Sequence, residues 1–305
     1  MNMPSESLPS QARRLVLVGG GALTDSIVSE IARLARASRR GPGISRILVC
    51  TLASQDAEAG SRACAAFEAQ GLSAAVLDFF PPSGAIDPYE TKASSWESLR
   101  SFALKGAGVG ELCEADALFF TGGDQRLILN VLRGTPFEDT LLARWQSGEL
   151  LVAGTSAGLQ VCSDLALTGD FHGDESSLAG PEGMPANRVA LDHVVTAPGL
   201  PLLRGVILDQ HFLARRRHNR LFSACLDNPG HVGIGVDEST ALVVEDSAGT
   251  GWARPRVIGA SAVFYVDTHS ASLQKDASGK PLSVEDLRCG FVWEGGLFPF
   301  TLELG

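Results

Sequence analysis

The sequence predicts an α/β fold: a mostly parallel sheet with helices on both faces, and a β-rich C-terminal portion. Two observations carry this. Aliphatic and β-branched runs, of the kind that strands buried on both faces require, alternate with stretches of helical spacing. From about Val206 onward, strand-like runs follow one another with turn signals between them.

The elements follow in order. RRLVLVGGG (Arg13–Gly21) is a buried strand ending in a glycine turn, and DSIVSEIARLARASRR follows with the apolar spacing of a helix. ISRILVCTLAS is the second strand, EAGSRACAAFEAQG a helix stopped by Gly71, and LSAAVLDFF a third strand. ADALFFTGGDQ, a helical stretch to Gly148 and LLVAGTSAG continue the alternation. GVILDQHF is a further strand with polar residues at its end, followed by an arginine-rich helix, LARRRHNRLFSACLDN. GIGVDESTALVVE, PRVIGASAVFYVD and GFVWEGGLFPF supply the C-terminal strands. The Gly-, Pro- and Asp-rich stretch from Gly169 to Arg204 reads as a long loop near a site. With no linker or internal repeat, residues 13–305 read as one α/β domain behind a disordered lead over residues 1–12.

Composition excludes several classes of function. Of 305 residues, 45% are apolar and 20% charged, as in ordinary globular proteins. No apolar run reaches eighteen residues, so no membrane span is expected, and the N-terminus lacks the pattern of a secretory signal. Six scattered cysteines without a C-x-x-C pair read as small thiols in a reducing cytoplasm rather than as a zinc site. A formal charge of −10 argues against nucleic acid as a partner and makes any local cluster of arginines notable. VGGGALTD has Thr24 where a dinucleotide loop needs its third glycine, and no G-K-[ST] follows. Neither NAD nor ATP is expected, nor any metal or organic cofactor.

Three segments carry candidate chemistry. Gly154-Thr155-Ser156-Ala157-Gly158 fits G-x-S-x-G between a strand and a helix, the context of a nucleophile elbow. The amide of Ala157 would then be suited to an oxyanion. FFTGGDQ ends another strand at the same sheet edge, where Gly122 and Gly123 let backbone amides approach a substrate and Gln125 offers a side-chain amide. In ILDQHFLARRRHNR, His211 falls just past a strand, where a base for an activated serine belongs. Arg215, Arg217 and Arg220, with Arg216 among them, suit bidentate capture of carboxylates. GIGVDESTALVV supplies Asp237 and Glu238, either of which could orient the histidine; spacing does not choose between them.

In this joint order and spacing, from Leu15 to the C-terminal LSVEDLRCGFVWEGGLFPF, the chain resembles the cyanophycinase family, serine peptidases related to aspartyl dipeptidase. The resemblance implies a flavodoxin-like, class I glutamine-amidotransferase-like fold and a Ser-His-Glu triad of Ser156, His211 and Glu238. It implies an oxyanion hole from Ala157 and the Gly122–Gly123 turn. It also implies substrate-binding positions at Gln125, Asp209, Gln210, Arg215, Arg217 and Arg220. The family acts on cyanophycin, a poly-aspartate with arginine on each side-chain carboxyl, releases β-aspartyl-arginine, and is commonly dimeric. Leu159, Gln160 and Cys162 stand where the family usually has small residues, and residues 169–204 and 245–255 match it poorly. The expected activity is therefore that of a cytoplasmic, homodimeric peptidase acting on peptide or poly-aspartate-type substrates. An exopeptidase for small acidic peptides and a catalytically silent binding protein on the same fold are the alternatives.

Overall fold

The computed structural model describes residues 12–77, 94–172, 188–279 and 281–305. The lead expected over residues 1–12 lies outside them except for Ala12, as does the Asp78–Phe80 end of the third expected strand. The first part of the chain runs β1 (Arg13–Val18), α1 (Asp25–Ser38), β2 (Arg46–Cys50), α2 (Ala59–Ala69), β3 (Ser73–Val76) and α3 (Ser94–Leu104). It continues through α4 (Val109–Glu114), β4 (Ala117–Phe120), α5 (Gln125–Leu132), α6 (Pro136–Gln146), β5 (Leu151–Thr155) and the single turn α7 (Ala157–Gln160). Then come β6 (Ser163–Phe171), β7 (Val194–Pro198), β8 (Leu203–Asp209), α8 (His218–Asp227), β9 (Val232–Val236) and β10 (Thr240–Asp246). Seven strands close the chain: β11 (Trp252–Ala253), β12 (Arg256–Gly259), β13 (Ala262–Asp267), β14 (Ser272–Lys275), β15 (Pro281–Glu285), β16 (Arg288–Trp293) and β17 (Leu302–Leu304).

The first sheet has the order β12-β10-β1-β5-β4-β2-β3, parallel from β1 to β3 and antiparallel at β10 and β12. Alternation along each strand divides the core into two. Leu15, Leu17, Leu48, Leu118 and Val152 face α5 and α6, where Ile128, Phe137 and Trp145 are fully buried. Val16, Val18, Ile47, Phe119 and Ala153 face α1 and α2, with Phe67 edge-on to Phe119 at 5.1 Å. Each such buried side chain larger than alanine contributes about 1.5–3 kcal/mol. The expected parallel sheet with helices on both faces is thus present.

A second sheet, β11-β17-β8-β9-β13-β16 with β6 and β7 attached, holds much of the strand-rich C-terminal portion. Val206 and Leu208 of β8 and Ile234 and Val236 of β9 join the same core as α5 and α6. The carboxyl ends of β8 and β9 are thereby brought to the carboxyl ends of β1, β4 and β5, where His211 N–H donates to Gly19 O at 2.6 Å and Ser156 N–H to Val18 O at 2.9 Å.

Two local expectations are corrected. The arginine-rich helix begins only at His218; Leu213–Arg217 form a turn instead. Helical composition is overridden there because the Asp237 carboxylate accepts from the amides of Leu213 and Ala214, both at 3.0 Å, and Arg216 takes φ 52°. Nor are the described parts of residues 169–204 a long loop. They include the end of β6 and all of β7, paired antiparallel with a bulge between Leu167 and Phe171.

Candidate active site

Ser156 joins β5 to α7 with φ 54° and ψ −111°, a conformation that costs a non-glycine residue about 1–3 kcal/mol. The glycines on either side permit it. A Cβ at position 154 would lie 2.4 Å from Gly158 O, and one at position 158 would lie 2.4 Å from Phe120 O. The elbow packs its own turn against β4 with no space for side chains. Gln160, in that turn, donates from Nε2 to Leu208 O and so ties the elbow to β8, the strand that leads into His211. Its fellow departures from the family pattern, Leu159 and Cys162, are fully buried.

His211 follows β8 with φ 47°. Its Nε2 lies 2.9 Å from Ser156 Oγ, and its Nδ1 lies 2.6 Å from Glu238 Oε1 in the turn after β9. Beside a carboxylate, Nδ1 carries the imidazole proton, which leaves Nε2 as an acceptor for the serine hydroxyl. Burial holds the imidazole below its usual pKa; the hydrogen bond to Glu238 opposes this, and the charges of Arg215 and Arg217 add to it. Of the two acids between which spacing left the choice open, Glu238 is the one whose carboxylate meets the histidine. Asp237 faces away from the histidine, fixing the Leu213–Ala214 amides with Oδ1 and accepting from Ser261 Oγ at 2.7 Å with Oδ2.

Around Ser156, the amides of Ala157, Gly122 and Gly123 have no protein acceptor among the described residues. Gly122 lies against the serine; a Cβ on it would come within 3.1 Å of Ser156 Cβ. Such amides can stabilise negative charge that develops next to Oγ. Gln210 Oε1 accepts from Ser156 Oγ at 3.1 Å, so the hydroxyl has two acceptors for its one proton.

Ser156, His211, Gly122, Gly123 and Gln210 line a cleft of about 710 Å³, together with Gln125, Arg215, Arg217 and Arg220. Asp209, wholly buried, lies behind the cleft surface and grips Arg220 in a bidentate pair, Nε to Oδ2 at 2.7 Å and Nη2 to Oδ1. Arg217 sits 3.6 Å from the same carboxylate and donates to Gln210 O at 2.9 Å. Burial and the neighbouring Arg220 push its guanidinium down to about 9, which leaves it charged at neutral pH. Three cations against one buried anion leave this side of the cleft positive, with Arg215 exposed to solvent. Gln125 is buried, with Nε2 donating to the carbonyls of Leu167 and Thr168 at the β6 bulge.

All the expected site residues except Asp209 and Glu238 are thus on the cleft or at Ser156, and those two act on residues that are. Sequence reading missed Gly20. In sequence its VGGG motif reads only as an incomplete nucleotide loop, yet a Cβ at Gly20 would lie 2.3 Å from His211 Cε1 and 2.4 Å from Nε2. The signal was the glycine run at a strand end; what it accommodates was not visible.

Comparison with known proteins bears on this geometry. Residues 88–250 match the model of Peptidase family S51. A cyanophycinase from Trichormus variabilis is 32% identical over 295 residues, 95% of this chain and 87% of that protein. A cyanophycinase from Nostoc sp. is 37% identical over 185 residues, 59% of this chain and 56% of that one. Among solved structures, a peptidase from an acI-B1 Actinobacterium shares the fold with a TM-score of 0.63 at 19% identity, covering 95% of this chain and 98% of its own. The fold and these matches define a serine-type peptidase, a hydrolase. The chain belongs to peptidase family S51, with cyanophycinases as its relatives.

Proposed function

We propose that this peptidase hydrolyses cyanophycin to β-aspartyl-arginine dipeptides, with Ser156 as nucleophile, His211 as base and Glu238 as the acid that orients it. The unbroken hydrogen-bonded line Ser156 Oγ–His211 Nε2, His211 Nδ1–Glu238 Oε1 carries this reading. As Oγ attacks the scissile carbonyl carbon, Nε2 takes its proton, and Glu238 stabilises the imidazolium. The amides of Ala157, Gly122 and Gly123 receive the oxyanion, each donor lowering the barrier by about 3 kcal/mol. Nε2–H then protonates the departing amine, and water, deprotonated by the same nitrogen, releases the acyl group. No metal or cofactor enters these steps.

Arg215, Arg217 and Arg220 bind substrate carboxylates, Asp209 acts through the two arginines it holds, and Gln210 and Gln125 bind substrate from the cleft wall. The enzyme works as a homodimer, as its family resemblance implies, and in the cytoplasm, where its scattered unpaired cysteines belong. No helix among the described residues is long and apolar enough to cross a membrane. The test is a mass spectrum of products after purified protein meets cyanophycin. Release of β-aspartyl-arginine is expected. Turnover confined to short peptides with N-terminal aspartate would favour the small-peptide exopeptidase, and no turnover of either would favour the silent binding protein.

A further inference from the structure

A second charged group lines the same cleft and has no part in the mechanism above. It consists of Asp124 and Arg126 at the start of α5 and Asp170 at the end of β6. We propose that Asp170 is a specificity-determining residue that binds a guanidinium-bearing side chain of the substrate, which replaces Arg126 as its partner. The inference rests on the peptidase reading and extends it to substrate selection.

The geometry gives the two carboxylates unequal shares of Arg126. Arg126 Nε contacts both oxygens of Asp124 at 3.0 and 3.2 Å, and Nη2 donates to Oδ2 at 2.8 Å. Asp124 also caps α5 by accepting from the Arg126 amide at 2.9 Å. Asp170, by contrast, receives a single bond, from Arg126 Nη1 to Oδ1 at 2.9 Å, and its side chain is 42% exposed. Two carboxylates therefore share one guanidinium, and the less satisfied of them is the more exposed to solvent. A guanidinium already rests on Asp170 in the protein itself, so the position accepts that group sterically.

The chain builds this arrangement around a break in the β6–β7 ladder. The β6 bulge, with Gly169 at φ 95°, breaks the register with β7 just before Asp170. Gln125 holds the bulge by donating to Leu167 O and Thr168 O, and Thr168 Oγ1 accepts from the Asp170 amide at 3.2 Å. The cleft thus carries a net positive group from α8 and the turn before it, and a net negative one from β6 and the start of α5. A substrate whose units each bear a carboxylate and a guanidinium matches both; one bearing carboxylates alone is repelled by the second.

The test compares kcat/KM for a β-aspartyl-arginine oligomer and the same oligomer with neutral citrulline in place of arginine. The wild-type enzyme should prefer arginine by about tenfold or more, the scale of one charge-assisted hydrogen bond. Asp170→Asn should bring the ratio near one, mainly by raising KM for the arginine oligomer. Arg126→Gln, which frees Asp170, should hold or raise the ratio. A ratio compares two substrates on one protein, so a partly folded variant does not distort it. An unchanged ratio in Asp170→Asn, or a fall in Arg126→Gln equal to that in Asp170→Asn, overturns the proposal. Failure of the wild-type enzyme to cleave either oligomer would overturn the substrate reading and this inference with it; cleavage of both without the ratio change overturns this inference alone.

Discussion

Gly20 forms the wall against which the His211 ring lies, at a position where any Cβ would fall 2.3 Å from Cε1 and 2.8 Å from Nδ1. Since Gly20 O also accepts from Ser239 N–H at 2.8 Å, next to Glu238, the glycine turn cannot simply retreat. Gly20→Ala is expected to push the ring off its line between Ser156 and Glu238. A displacement of that size should lower kcat about a hundredfold. Steady-state kinetics, with circular dichroism to confirm the fold, checks this; a wild-type rate would contradict it.

The charges near His211 set the pH dependence. Burial, Arg215 and Arg217 disfavour the imidazolium, so the base remains neutral to below the ordinary imidazole value and the acid limb of kcat/KM should lie there. Arg215→Gln removes one disfavouring charge and should move that limb to higher pH, whatever it does to substrate affinity. A limb that stays in place or moves to lower pH would show that the charge does not act on the base.

Adjacent acids should separate by phenotype. Glu238→Gln is expected to reduce kcat about a thousandfold or more with little change in Tm, because it removes the negative charge and lets an amide N–H face Nδ1, so the imidazole tautomer is no longer fixed. Asp237→Ala removes the acceptor for two amides and a hydroxyl in a buried turn. It should cost roughly 2–4 kcal/mol of stability, read as a lowered Tm. The reverse pattern would exchange their roles.

Asp209→Ala leaves Arg217 and Arg220 buried without their anion. Breaking such a pair costs about 3–5 kcal/mol, so denaturant unfolding should show a large loss. A variant as stable as wild type would mean that the arginines find other partners.

The parallel sheet and the elbow were legible because both are local. Runs such as LVLV and ALFF cannot be anything but buried, and G-x-S-x-G states its own steric requirement in five residues. What escaped depended on distant contacts. The second sheet pairs β8 with β17, nearly a hundred residues away, which no periodicity reveals. Asp237 and Glu238 differ by one position, and only the direction of the turn after β9 decides which meets His211. The segment LARRR has helical composition but loses its first turn to a carboxylate from just past the end of β9. Gln125 was visible as a side-chain amide at a strand end, but its commitment to the β6 bulge was not.

The central claim is that Ser156 is the nucleophile activated by His211. Incubation with a fluorophosphonate, followed by peptide mass spectrometry, tests it most directly. A single covalent adduct on Ser156, absent from His211→Ala, is the expected result, with hydrolysis lost in Ser156→Ala. An adduct on another residue, or hydrolysis by Ser156→Ala at the wild-type rate, would contradict it.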